Sequence, residues 1–307
     1  MNLPSYAASD PGGWQHLLDV ARAADIAGVD RVLASDHVVF GEHLDAYADP
    51  KLGGTAGGRQ PTGPDGLWLE PMTVLSVVCG LTTRVRLMTC ILQAALRRPV
   101  VLAKTAATLD VLSQGRLDLG VGVGWQREEY DAAGLDFGQR GQSLDHTLTV
   151  CQTLWRNSPA TFESGGVSFE SIHCMPQPLQ DGGVPIWVSG TVNTRVLDRI
   201  SRFGSGWIPW GEHVANPVAG IGEIRESMAN AGRDPSELRV LGSLSVQRQS
   251  NGEADLTRTM DVVPRLLEAG VTDFRIAVPL PTEFDAITDN LLALVSAFTD
   301  ASGRVDQ

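Results

Sequence analysis

The feature that most constrains this chain is its alternation: short apolar runs recur, each followed by a longer helical pattern opened by proline or a capping residue and closed by glycine. DRVLASDH reads as a strand leading into a loop, EPMTVLSVVCGLT as a helix with Pro71 in its opening turn, and RVRLMTCIL as a strand. PVVLAKTAATLDVLSQG follows as a helix between Pro99 and Gly115. RLDLGVGVG, VPIWVSG, GWIPWG, LRVLGSLSVQ and DFRIAVPLP continue the strands. Between them lie helices built on SLDHTLTVCQTLW, TRVLDRISRFG, GIGEIRESMANAG and DLTRTMDVVPRLLEAG, and FDAITDNLLALVSAFTD closes the chain. Ahead of all these, a brief strand in LPSY precedes a helix whose stripe of Trp14, Leu17, Leu18, Ala21 and Ala24 ends near Gly28. Asp10-Pro11 is its expected cap and first position.

Repeated strand–helix units build a parallel sheet buried on both faces. Eight of them in 307 residues predict a (β/α)8 TIM barrel, one domain over 1–307, with a short or truncated first strand. Two stretches stand outside the pattern. Residues 41–66 are rich in Gly, Asp and Pro and read as a long surface excursion, and residues 160–180 read as a small β insertion.

Composition narrows the class of partner. The apolar fraction of 43% is enough for a continuous core, and a net charge of −12 with a pI near 4.9 disfavours nucleic acid. MNLPSYAASDPGG has neither a basic nor an apolar signal region, and no apolar run is long enough to span a membrane. Cys79, Cys90, Cys151 and Cys174 lack C-x-x-C spacing, which argues against a zinc site or a disulfide framework. The expectation is a cytoplasmic protein handling a small-molecule substrate, with no nucleic-acid or membrane partner.

Chemistry is sought at the C-terminal ends of the strands, where barrel enzymes place their sites. RLDLGVGVGW carries Gly120, Gly122 and Gly124 at every second position, so it fails the G-x-G-x-x-G dinucleotide fingerprint. Read as strand, the three glycines share one face, and Leu119, Val121, Val123 and Trp125 share the other. A face stripped of side chains suits a flat ring lying against backbone, and equally a barrel wall packed on a bulky neighbour. His37, after Asp36 in SDH, stands at the end of the second strand, placed either for proton exchange or for a structural bond. The remaining histidines form no metal-binding pattern. Glu128-Glu129 bring to mind paired catalytic carboxylates, but WQREEYDAAG reads better as the start of a solvated helix. Ser189-Gly190-Thr191 lead into a helix and offer hydroxyls and free N–H groups to a phosphate, although a plain cap would read the same way. Trp14, Trp68, Trp125 and Trp210 are candidates for the pocket wall or for the core.

AKTAATLDVLSQGRLDLGVGVGW, with EPMTVLSVVCGLTTRVRLMTCIL, GLDFGQRG and PIWVSG…FGSGWIPW, resembles the bacterial luciferase-like flavin and deazaflavin oxidoreductases, above all the subgroup using coenzyme F420. The resemblance covers nearly the whole chain. It implies a TIM barrel with the cofactor in its C-terminal mouth, and a homodimer. It places His37 beside the reactive ring with Asp36 supporting it. It puts a cis peptide behind the ring at Cys90-Ile91, or one residue earlier at Thr89-Cys90. Gly122 and Gly124, beside Trp125, would flank the cofactor, and Ser189, Gly190 and Thr191 would hold its phosphate. Trp125 stands where some deazaflavin dehydrogenases of the family carry an acidic glutamate, which suggests an apolar substrate wall here. The first strand is also shorter than in relatives, either because the start is placed late or because the strand is stunted. The function so implied is hydride transfer between F420 and a small organic substrate, with His37 steadying developing charge. The alternatives are an FMN-dependent monooxygenase using reduced flavin and oxygen, and a flavin-binding barrel without catalysis.

Overall fold

Seven parallel strands in consecutive order curl into one sheet with helices packed outside it. The computed structural model describes residues 1–303, so the last four residues of the expected domain, 304–307, lie outside the described residues. The first barrel strand is reduced to an isolated parallel bridge between Asn2 and Leu33. Hydrogen bonds flank it from Leu3 N to the Leu33 carbonyl and from Leu33 N to the Met1 carbonyl, both 2.8 Å.

In chain order the elements are β1 (Tyr6–Ala7), α1 (Gln15–Ala27), β2 (Arg31–Ala34), β3 (Leu67–Trp68), α2 (Pro71–Leu81), β4 (Arg86–Leu92), α3 (Pro99–Leu112) and β5 (Leu117–Val121). Then come α4 (Arg127–Ala132), α5 (Arg140–Arg156), β6 (Ala160–Ser164), β7 (Val167–Ile172), β8 (Ile186–Gly190), α6 (Thr194–Phe203) and β9 (Gly204–Pro209). The chain ends through α7 (Val218–Asn230), β10 (Arg239–Leu244), α8 (Leu256–Met260), α9 (Val263–Glu268), β11 (Asp273–Ile276) and α10 (Phe284–Ser302). The sheet runs β2-β4-β5-β8-β9-β10-β11 with every neighbour parallel. With the Asn2 bridge beside β2, this is the expected TIM barrel with an abbreviated first strand. The antiparallel pairs β1–β3 and β6–β7 lie outside the sheet, the second of them in the expected insertion.

Local chemistry sets the boundaries. Glu70 caps α2 by accepting from Thr73 N at 2.7 Å, and Pro71, which has no N–H to satisfy, takes the first turn. Two expectations need correcting. Asp10 does not cap α1: its carboxylate accepts from Gly12 N at 2.9 Å, the left-handed Gly12 and Gly13 turn the chain, and the helix starts at Gln15. The helix expected over DLTRTMDVVPRLLEAG is two short ones, because Pro264 has no N–H to return to the Met260 carbonyl and the chain breaks at Asp261-Val262.

Burial follows the barrel's layers. One core fills the space between sheet and helices, with Val20, Leu75, Ala106, Leu144 and Ile224 fully enclosed. A second, made of Leu33, Met88, Trp187, Ile208 and Leu241, plugs the barrel itself. Beneath it lies an ionic floor. Arg31 joins Asp118 at 3.0 Å and Asp273 at 2.6 Å, while Arg86 reaches Asp118 and Arg239 reaches Asp273, each at 2.8 Å. The guanidiniums of Arg31 and Arg239 each lie over the Trp187 ring, 4.9 Å from its centroid. Buried charges persist only when paired, so this layer is the paired solution at that end of the barrel. No helix among the described residues is long and apolar enough to cross a membrane.

Candidate active site

At the opposite end, above the plug, the strand termini surround a cavity of about 440 Å³. Such a volume falls within the roughly 300–1,000 Å³ of small-ligand pockets. The ends of β2, β4, β5, β8, β9 and β11 all contribute to its walls. Much of the 41–66 excursion folds over the mouth, with Tyr47, Lys51, Gly53 and Gln60 on the lining. Trp210, just past β9, secures it by donating its indole N–H to the carbonyls of Gly53 and Gly54 at 3.0 and 3.1 Å. Of the four tryptophans considered, Trp68, Trp125 and Trp210 line the cavity, whereas Trp14 precedes α1 and packs on the main core.

His37 stands on the cavity wall inside an aromatic frame. Phe40, Trp68 and Trp125 have ring centroids 4.3, 4.8 and 5.9 Å from the imidazole. Its Nδ1 lies 3.2 Å from Glu129 Oε2. The same carboxylate accepts from Val38 N at 2.8 Å and from Gln93 Nε2 at 2.8 Å. Glu129 therefore does not start a solvated helix. It is 1% exposed, because α4 docks its first turn against the segment after β2. Asp36, expected to support the imidazole, holds something else. Its carboxylate closes a fork with both terminal nitrogens of Arg97 and accepts from Gln93 N at 2.9 Å. Burial pushes the Asp36 carboxyl up, and the Arg97 fork opposes that push. A carboxylate at Nδ1 favours the tautomer with the proton there, which leaves Nε2 as an acceptor.

The glycine run is reinterpreted by the structure. β5 ends at Val121, so only Gly120 lies in the strand, and Gly122 and Gly124 belong to the turn beyond it. A methyl on Gly120 would strike the carbonyl oxygen of Thr89 and stand 3.0 Å from Met88 Cε, so tight packing governs there. Gly122 and Gly124 border the cavity, but added methyls would meet Ile91 and Gln93. Both neighbours come from the end of β4, where the Cys90-Ile91 peptide is cis and the register with β5 shifts between Thr89 and Leu92. Cys90 and Ile91 line the cavity, while Thr89 is buried with its hydroxyl donating to the Gly120 carbonyl at 2.8 Å.

Ser189, Gly190 and Thr191 reach the cavity at the end of β8, yet part of the phosphate-binding potential expected there is already engaged. Asn193 caps α6 by accepting from Arg195 N and Val196 N at 3.0 and 3.2 Å, and the Thr191 hydroxyl donates to the Trp210 carbonyl at 3.2 Å. What the sequence did not single out is the cationic wall beside it. Arg140 and Arg195 line the same cavity, and Arg140 Nε is buried without a partner. Burial, and after it the charges of Arg127 and Arg195 set against the influence of Tyr130, pull the Arg140 guanidinium below its usual value. An anion would relieve that repulsion. Among the described residues, buried Gln93 Oε1, Trp125 Nε1 and Gln60 Nε2, all of lining residues, also lack partners.

Comparison with known proteins gives a consistent lineage. A family profile described as luciferase-like monooxygenase matches residues 3–266. An uncharacterized protein of Mycobacterium tuberculosis is 30% identical over 71% of this chain and 72% of its own length. Among solved structures, the monooxygenase RslO1 from Streptomyces bottropensis superposes with a TM-score of 0.73 at 17% identity, covering 98% of each chain. An F420-dependent secondary alcohol dehydrogenase, in complex with an F420-acetone adduct, superposes with a TM-score of 0.71 at 18% identity, over 95% of this chain and 96% of that one. At such identities the likeness is one of fold.

Proposed function

Because this chain belongs to the luciferase-like monooxygenase family, we propose that it is an F420-dependent oxidoreductase acting on a small organic substrate held in the barrel mouth. The observation that carries the proposal is the His37–Glu129 pair, set in a cavity whose lining leaves buried donors and an acceptor unanswered. The residues present fit a deazaflavin. Gln93 Oε1 and Trp125 Nε1 suit an imide N–H and a ring carbonyl, the Cys90-Ile91 bulge and Gly122 border the space for a flat ring, and Ser189, Arg140 and Arg195 form a wall suited to a phosphate. When bound, the deazaflavin supplies two-electron hydride chemistry.

The chain's own residues provide the rest. Glu129 fixes the imidazole's orientation and keeps a proton on Nδ1, so Nε2 is the nitrogen left to accept a proton from a substrate hydroxyl, or to return one when the ring is protonated. Trp68, Phe40 and Trp125 surround that ring with apolar surface, which strengthens its polar contacts by excluding water. Asp36 acts one step back, anchoring the Gln93 backbone while the Gln93 side chain meets Glu129.

The test is equilibrium titration of the purified protein with F420 and with FMN side by side, read by fluorescence. Saturable F420 binding that weakens when Arg140 or Arg195 is replaced by alanine is the expected result. Submicromolar FMN binding with no response to F420 would replace this reading with an FMN-dependent monooxygenase or a non-catalytic flavin barrel.

A further inference from the structure

Several guanidiniums inside this barrel are answered by carboxylates, and Arg140, on the cavity wall, is answered by the carbonyls of Phe137 and Leu52. Arg31 and Arg86 meet Asp118, Arg239 meets Asp273, and Arg97 meets Asp36 and Glu70. Arg275 has no such partner. It extends from β11 into the cavity, its Nε donates to Ser243 Oγ at 2.7 Å, and its Nη1 stands 3.6 Å from Cys90 Sγ across the barrel. Among the described residues, neither a carboxylate nor a carbonyl is bonded to it, and nothing accepts from its Nη2.

Strand geometry explains how it arrives there. Side chains two apart in a strand share a face, so Asp273 and Arg275 both point inward. Asp273 ends in the ionic floor, and Arg275 stands one layer higher, at the cavity's base. Tyr47, from the excursion that covers the mouth, lines the same space and lies within the electrostatic reach of Arg275. Its hydroxyl has no hydrogen-bond partner among the described residues.

A half-buried cation without a counter-charge is tolerated while water fills the space around it, and becomes costly once a ligand displaces that water. The ligand that enters must therefore bring its own acceptor. We propose that Arg275, together with Tyr47, receives the carboxylate of the substrate, so that the site takes a small organic acid. One positive charge and two donors match a monoanion with two oxygens. A dianionic phosphate is better served by Arg140, Arg195 and Ser189, which occupy a different wall. This inference rests on the proposed function only in placing the substrate in this cavity.

The experiment uses benzoate as probe, with benzamide as its neutral counterpart and phenyl phosphate as the alternative anion. Each is titrated into the purified full chain while tryptophan fluorescence is followed, since Trp68, Trp125 and Trp210 line the cavity. The expected result is that benzoate binds roughly tenfold or more tightly than benzamide, as a charge-assisted contact requires. Arg275→Gln should abolish the preference and Arg275→Lys retain part of it. Equal binding of benzoate and benzamide by the unaltered protein overturns the proposal, whether or not any variant folds. Tighter binding of phenyl phosphate than of benzoate, or unchanged benzoate binding in Arg275→Gln, overturns it too. F420 is titrated separately into both proteins. Benzoate selectivity without F420 binding refutes the cofactor reading and leaves the acid site standing. Loss of F420 binding in Arg275→Gln, with no benzoate preference in the parent, assigns Arg275 to the cofactor and overturns the acid site.

Discussion

His37 depends on a carboxylate that its neighbours in sequence do not reveal. Glu129 faces three donors with two oxygens: the imidazole Nδ1, Val38 N and Gln93 Nε2. Glu129→Gln turns an amide nitrogen toward that set, so chemical denaturation should register a loss of about 1–3 kcal/mol, the cost of buried polar groups left unmade. Stability alone would not identify its role at the imidazole. Nitrogen NMR of the His37 ring does so: the parent should hold its proton on Nδ1, and the variant should populate the other tautomer. An unchanged tautomer would reduce Glu129 to a loop tether. The sequence made His37 visible by its place after a strand, but not its partner, since two adjacent acids at a helix start look solvated until α4 is docked. Arg275 was hidden for a similar reason: the strand pattern does not show what faces an inward cation across a barrel.

At the scale of elements, the order of strands and helices was legible because proline, glycine and apolar periodicity act locally. Less legible was how far each strand runs. The glycines after Leu119 read as one open face, yet β5 stops at Val121 and the end of β4 presses against all three. They therefore differ in what a methyl costs. Gly120→Ala drives a methyl into the backbone oxygen of Thr89, which is fixed by the sheet, so the loss should reach or exceed the top of the roughly 1–3 kcal/mol seen for overpacked cores. Gly122→Ala meets the side chain of Ile91, 2.9 Å away at Cδ1, which can rotate. Its cost in stability should be smaller, and its F420 affinity should fall as Ile91 moves into the cavity. Urea denaturation and F420 titration of the two variants distinguish these outcomes. Pro264 breaks into α8 and α9 the stretch whose apolar pattern predicts one helix, and Asn193, which the pattern did not single out, caps α6.

Across the whole molecule, the ionic floor ties distant strands together and gives stability a pH dependence. Burial alone would push the Asp273 carboxyl up, but the charges of Arg31 and Arg239 overcome that and hold it below its usual value. A depressed pKa means the unfolded chain takes up the proton first as pH falls. The contribution of Asp273 is thus complete above the ordinary carboxylate value of about 3.9 and disappears as pH drops through the lower folded value. Asp273→Asn should flatten this acid limb in urea titrations between pH 3 and 7. At neutral pH it should cost about 1–3 kcal/mol, because Arg31 keeps Asp118 and Arg239 is partly solvated. An acid limb unchanged in the variant would place the dependence elsewhere.

The cavity at the strand termini also bears on traffic. The deazaflavin and the organic acid proposed above would share the mouth cavity, framed by the excursion fastened to Trp210. Molecules that share a doorway queue: whichever settles deeper enters first and departs last, so the order of addition in steady-state kinetics becomes a ruler for depth.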